Sequence, residues 1–177
     1  NYTLEKLMHG CFEEVGVPKC TAEELEYAAA LKATYPPERD VPGIGAKFDA
    51  GIAKQVKALS ENMTKPVYDF LMPQYSGEGF RPGSTDVGDV SWQTPTAQIE
   101  VAAWPAGVPG HSWQVVACGK SSMAHKAMLC AGKVIASAAI ELLEQPALLE
   151  KAKSEFKERS ASGYVCPIEP DAVPIAL

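Results

Sequence analysis

Residues 122–144 run for about six turns, at 3.6 residues per turn, without a proline. Met123, Ala127, Met128, Ala131, Val134, Ile135, Ala138 and Leu142 recur at helical spacing and predict one apolar stripe. Ser121 or Ser122 can cap its start. A stripe of that length has to be covered by other elements, so the chain must build a packed domain around it. Pro146 suits the first turn of a further helix, predicted to reach Arg159.

The amino-terminal third supplies candidate partners. Leu4, Leu7, Met8, Cys11, Phe12 and Val15 share one helical face, with Thr3 as predicted cap and Gly16 as stop. Thr21-Ala-Glu-Glu24 is a capping-box pattern that opens a second helix, predicted to run toward Tyr35 and to end at Pro36-Pro37. Residues 36–46 read as a loop, and Phe48, Ile52, Val56 and Leu59 give a third, weaker helical stripe.

The character changes over 61–118. Lys and Arg fall to two (Lys65, Arg81) against six acids, and Pro and Gly punctuate the stretch. Ala97–Trp104 alternates Ile99, Val101 and Ala103 with Gln98, Glu100 and Ala102, which predicts a strand. Val67–Met72 and Trp113–Ala117 are weaker strand candidates. Helices, then strands and loops, then helices predict an α/β fold with the helices covering a central sheet.

Composition narrows the function classes. At 177 residues, 46% hydrophobic and 21% charged, the chain is long enough for one ordinary globular domain and unlike a disordered or coiled-coil sequence. A net charge of -6 argues against nucleic-acid binding, and no run of 18 apolar residues predicts a membrane span. Five Cys, an odd number with no C-x-x-C pair, read as reduced thiols in a cytoplasmic setting. The chain opens Asn1-Tyr2-Thr3 without an initiator Met or a secretory leader, which reads as a processed chain or a piece of something longer. Without a leader, the sequons at Asn1 and Asn62 carry no weight.

Most motif candidates fail on spacing. Gly119-Lys120-Ser121 resembles the end of a phosphate loop, but Gln114 stands where that loop needs glycine. Gly43-Ile-Gly45 has Phe48 at the third glycine position, and no G-x-S-x-G elbow exists. Of three His, His9 and His125 fall on predicted helices. His111 instead follows Trp104-Pro-Ala-Gly-Val-Pro-Gly110, a loop leaving a predicted strand, where a neutral imidazole is either a loop residue or a metal ligand. Gly83-Ser-Thr-Asp86-Val-Gly-Asp89-Val-Ser-Trp92 sets two acids three apart in the charge-poor centre. Such carboxylates can accept backbone N–H bonds in a turn, orient a ligand or bind a metal.

The motif at 83–92, Pro109-Gly-His-Ser-Trp113 and the Lys126–Ile135 helix resemble the amidohydrolase branch of the aminoacylase/carboxypeptidase-type metallopeptidases (family M-twenty). The resemblance covers nearly all of the chain, and the ten-residue motif is its specific part. It implies a three-layer αβα catalytic domain interrupted by a smaller lid or dimerisation domain. It also implies a centre of two divalent metals, zinc or manganese, that activates a water against the amide of a small acyl-amino acid while a Glu acts as general base. His111 matches a metal ligand; Ser84, Thr85, Asp86 and Asp89 match site-lining positions, with Asp86 as the motif's acid. The early His-x-Asp or Cys-x-His motif, the ligand Glu-Glu pair and the catalytic base have no counterparts here, and neither does the lid. Residues 1–177 are therefore expected to be the carboxy-terminal segment of one catalytic domain. It divides into helices over 1–60, a strand-and-loop centre over 61–118, helices over 119–160 and a tail over 161–177. A related A-type subunit or further copies of the chain are the expected partners, with no nucleic acid or membrane. The alternative is a non-catalytic assembly unit with no complete metal site.

Overall fold

The computed structural model describes residues 1–36, 49–75 and 85–173. Among them are seven helices: α1 (Tyr2–Val15), α2 (Ala22–Lys32), α3 (Ala50–Glu61), α4 (Val87–Ser91), α5 (Trp113–Gly119), α6 (Ser122–Glu144) and α7 (Pro146–Arg159). The described residues contain no strand, which overturns the α/β expectation.

Each predicted strand fails for a specific reason. A strand persists only with a neighbour 4.7–4.9 Å away that exchanges a ladder of bonds. The segments 67–72 and 97–104 do approach each other, but among the described residues one backbone bond links their flanks, from Ala106 N–H to the Pro66 carbonyl at 2.8 Å. The alternation over 97–104 instead reports burial between two helix groups. Ile99 and Val101 pack beside α1 and α6, while Ala102 packs beside α2 and α5. Residues 113–117 are helical because Ser112 caps α5, its Oγ accepting from Val115 N–H at 3.4 Å, and because Gln114 and Cys118, one turn apart, both point inward.

Among the described residues the core has two parts, joined by α6. In the first, Cys11 and Phe12 of α1 meet Cys130, Val134 and Ala138 of α6, with Leu71, Ile99 and Val101 sealing the edge. Burying a side chain such as Phe12 contributes roughly 1.5–3 kcal/mol. In the second, Ala28 and Leu31 of α2 meet Val67, Cys118 and Met123. The stripe read from the sequence is thus split: Met123, Ala127, Val134 and Ala138 are buried, but Met128 and Ile135 are exposed.

Capping explains the helix bounds. Asn1 rather than Thr3 caps α1, its Oδ1 accepting from Leu4 N–H at 3.1 Å. The Glu155 carboxylate of α7 accepts from Tyr2 N–H at 2.6 Å and Thr3 N–H at 2.9 Å, so α7 satisfies α1's open first turn. Burial raises the Glu155 pKa, but those amide bonds outweigh it and hold the carboxyl below its ordinary value. Gly16 ends α1 at φ 74° and ψ 164°, a region that essentially only glycine adopts and that costs other residues roughly 1–3 kcal/mol, and donates to the Phe12 carbonyl at 2.8 Å. The Thr21–Glu24 capping box is present on α2, and Ser121 caps α6. Helix α2 stops at Lys32, short of Tyr35, and α7 begins at Pro146 as its proline predicts. The loop at 37–46 and Phe48 lie outside the described residues.

Candidate functional site

Thr85, Asp86 and Asp89 stand at the short helix α4, while Ser84 lies outside the described residues. Thr85 Oγ1 accepts from Val87 N–H at 3.4 Å, an ST-type start to the helix. Asp86 occupies the cap position with its side chain exposed and making no cap bond. Asp89 has a different task. Its carboxylate accepts from the Tyr164 hydroxyl at 2.5 Å, and the Trp92 and Tyr164 rings lie 5.9 Å apart. That bond to Asp89, with a further one involving Cys166, pushes the Tyr164 pKa well up. Asp89 therefore anchors the tail after α7 to α4.

His111 is exposed on the loop before α5. Its φ is 55°, the one positive value among the described non-glycine residues. Strain of this kind is stored where surrounding structure demands it, and often where a side chain must be presented. Here it turns the chain so that the next residue, Ser112, can cap α5. His9 is engaged elsewhere, its Nε2 2.9 Å from the Met72 carbonyl oxygen, and His125 sits exposed on α6. The described residues do not gather His111, Asp86 and Asp89, or any other three His, Cys, Asp or Glu, into a metal-binding group. A zinc-type centre takes about four ligands. The described donors therefore do not by themselves fit the expected two-metal centre. A shallow cleft of about 260 Å³ beside α4 is walled by Ser91, Trp92, Phe156 and Arg159, with Asp86 and His111 outside it.

The most concentrated electrostatics lie at a place the sequence does not single out as a cluster. Glu24, buried on α2, receives Lys126 Nζ at 2.7 Å, Ser122 Oγ at 2.6 Å and Thr21 N–H at 2.7 Å. Those bonds, the Lys126 ammonium foremost, hold the Glu24 carboxyl down to about 2. Lys126 also donates to the Lys19 carbonyl at 3.3 Å. The capping box betrays Glu24's local bond, but nothing local betrays a partner 102 residues away. With every oxygen occupied by donors of the same fold, the cluster ties α2 to α6.

All five cysteines are free thiols, three of them buried. Burial raises the pKa of Cys20, Cys118 and Cys130, which favours the protonated thiol. No helix among the described residues is long and apolar enough to cross a membrane.

No family model and no solved structure matches the chain. Among curated proteins it is similar to the B-type subunit of p-aminobenzoyl-glutamate hydrolase from Escherichia coli strain K12, with 33% identity over 181 residues. That alignment takes in 100% of this chain and 37% of the relative. Along its entire length, then, this chain is similar to a p-aminobenzoyl-glutamate hydrolase polypeptide of the B type, of which it spans a little over a third.

Proposed function

We propose that this chain is part of an amidohydrolase that cleaves the amide bond of a small acyl-amino acid of the p-aminobenzoyl-glutamate kind. The observation that carries the reading is 33% identity, over an alignment that takes in the whole chain, to a polypeptide of that hydrolase. Two local features support it. Asp86 is exposed and uncommitted to its cap, and His111 is held out on a strained backbone.

At the motif residues the chain offers one imidazole, His111, and exposed carboxylates, and no three His, Cys, Asp or Glu gather into a metal-binding group among the described residues. His111 is therefore proposed as a single ligand to a metal centre, zinc or manganese, whose other donors and general-base Glu come from outside these 177 residues. By itself the chain is expected to be inactive. The relative is named as a B-type component of its hydrolase, which supports assembly with a related A-type one. Five free thiols support a reducing compartment such as the cytoplasm.

The test is His111→Ala in the natural polypeptide that carries this sequence. Metal content and p-aminobenzoyl-glutamate hydrolysis are both expected to fall severely. Full metal occupancy with an unchanged rate defeats the assignment. The purified 177-residue chain is expected to hold no stoichiometric metal and to show no hydrolysis; two bound metals there would defeat the claim that the centre lies mostly outside it.

A further inference from the structure

Helix α6 carries two apolar faces, and the described fold covers one. Met123, Ala127, Cys130, Val134 and Ala138 point into the core. On the opposite side Met128, Leu129, Ile135, Ile140 and Leu143 are each more than half exposed. At 100° per residue the two groups lie on opposite sides of the helix axis. Lys126, Lys133 and Glu144 form a polar strip between the two apolar groups, so the helix has one apolar face beyond the one its own core uses. No described helix is long and apolar enough to cross a membrane.

Gly132 lies in the middle of the outer face. A glycine inside a helix costs about 0.5–1 kcal/mol relative to alanine. Nothing stands within 4 Å of the Cβ it lacks, so no contact within the described fold explains it. Its bare backbone suits close approach by a surface from beyond these residues.

The length of the relative indicates what that surface is. The whole of this chain aligns to 37% of the relative, which leaves nearly two thirds of such a polypeptide unaccounted for. We propose that the outer face of α6, centred on Gly132, is the seat of the remaining part of a longer polypeptide of the relative's kind, which packs an apolar surface against it. This rests on the functional reading above and extends it, because it names the face on which the rest of the enzyme is built.

Hydroxyl-radical footprinting read by mass spectrometry tests it without using activity. Met123, 2% exposed, and Met128, 64% exposed, are paired probes on one helix. In the 177-residue chain Met128 is expected to oxidise several-fold faster than Met123; in the natural polypeptide both are expected to be protected. Equal Met128 reactivity in the two proteins overturns the proposal. So does an intact natural mass of 18.9 kDa. So does a dimer of the 177-residue chain in which Met128 is protected, since a second copy would then be the occupant. Gly132→Leu gives an independent reading. It is expected to leave the melting temperature of the 177-residue chain unchanged or higher and to lower that of the natural polypeptide. No loss in the natural polypeptide overturns the close approach. If Met128 is protected but p-aminobenzoyl-glutamate is not cleaved, the docking face stands and the substrate assignment falls.

Discussion

The junction of α1, α2 and α6 and the loops that carry the 85–92 motif and His111 follow opposite rules. At the junction, apolar side chains interlock and a buried acid has a donor for every oxygen. In the loops, acids and an imidazole stand exposed, and only Asp89 is tied to a partner through its side chain. The difference separates residues that hold the fold from residues whose types have no structural employment in it. Exposed polar residues on a rigid scaffold are where function is usually carried.

The largest expected effect lies at the junction. Phe12 is 7% exposed and packs against the α6 side of the core. Phe12→Ala is expected to cost roughly 3–5 kcal/mol, the transfer of a buried ring plus the cavity it leaves. Urea unfolding of the 177-residue chain measures it. A loss below about 1 kcal/mol, the scale of a surface change, would mean that α1 is not seated on α6.

Glu24 comes next and probes the polar half of the junction. Glu24→Ala strands the Lys126 ammonium and the Ser122 hydroxyl. Because Lys126 is 38% exposed, water recovers part of the loss, and about 1–3 kcal/mol is expected. The pH dependence has a definite sign. The Glu24 carboxyl sits at about 2 in the fold against 4.5 ordinarily, so its contribution is full above about 4.5 and is lost as pH falls toward 2. Glu24→Gln should reduce the slope of stability across that window, leaving the part that Glu155 contributes. A wild-type curve that is already flat there would remove the charged pairing from the account.

How much of this is legible in the sequence depends on the range of the interaction. Helices α1, α6 and α7 follow from spacing, proline and cap residues, all local signals. The segment over 97–104 reads as a strand because period-two burial looks the same whether a segment pairs in a sheet or lies between two helix groups. Only the partners decide, and they are far away in sequence. Met128 and Ile135 fall on the predicted core stripe because apolar identity marks a need for cover without saying where the cover comes from. The motif around Asp86 and His111 is legible as residue types, but its ligand geometry is not made by this chain's described residues. Asp89's tie to Tyr164 joins residues 75 apart and leaves no local trace.

The smallest effect on stability, at His111, sharpens the contrast most. A non-glycine residue at positive φ costs roughly 1–2 kcal/mol, and glycine relieves this while giving back part of it as unfolded-state entropy. His111→Gly is therefore expected to raise stability slightly, by on the order of 0.5 kcal/mol. His111→Ala keeps the strain and is expected to fall about 1 kcal/mol below the glycine variant. Equal melting temperatures for the two would show that the backbone at 111 is not left-handed in solution. In the natural polypeptide both variants are expected to lose hydrolysis, because both remove the imidazole. A glycine variant that is more stable and inactive would place His111 among residues kept for function against the preference of the fold. One that is more stable and fully active would leave the strain as a device for starting α5 alone.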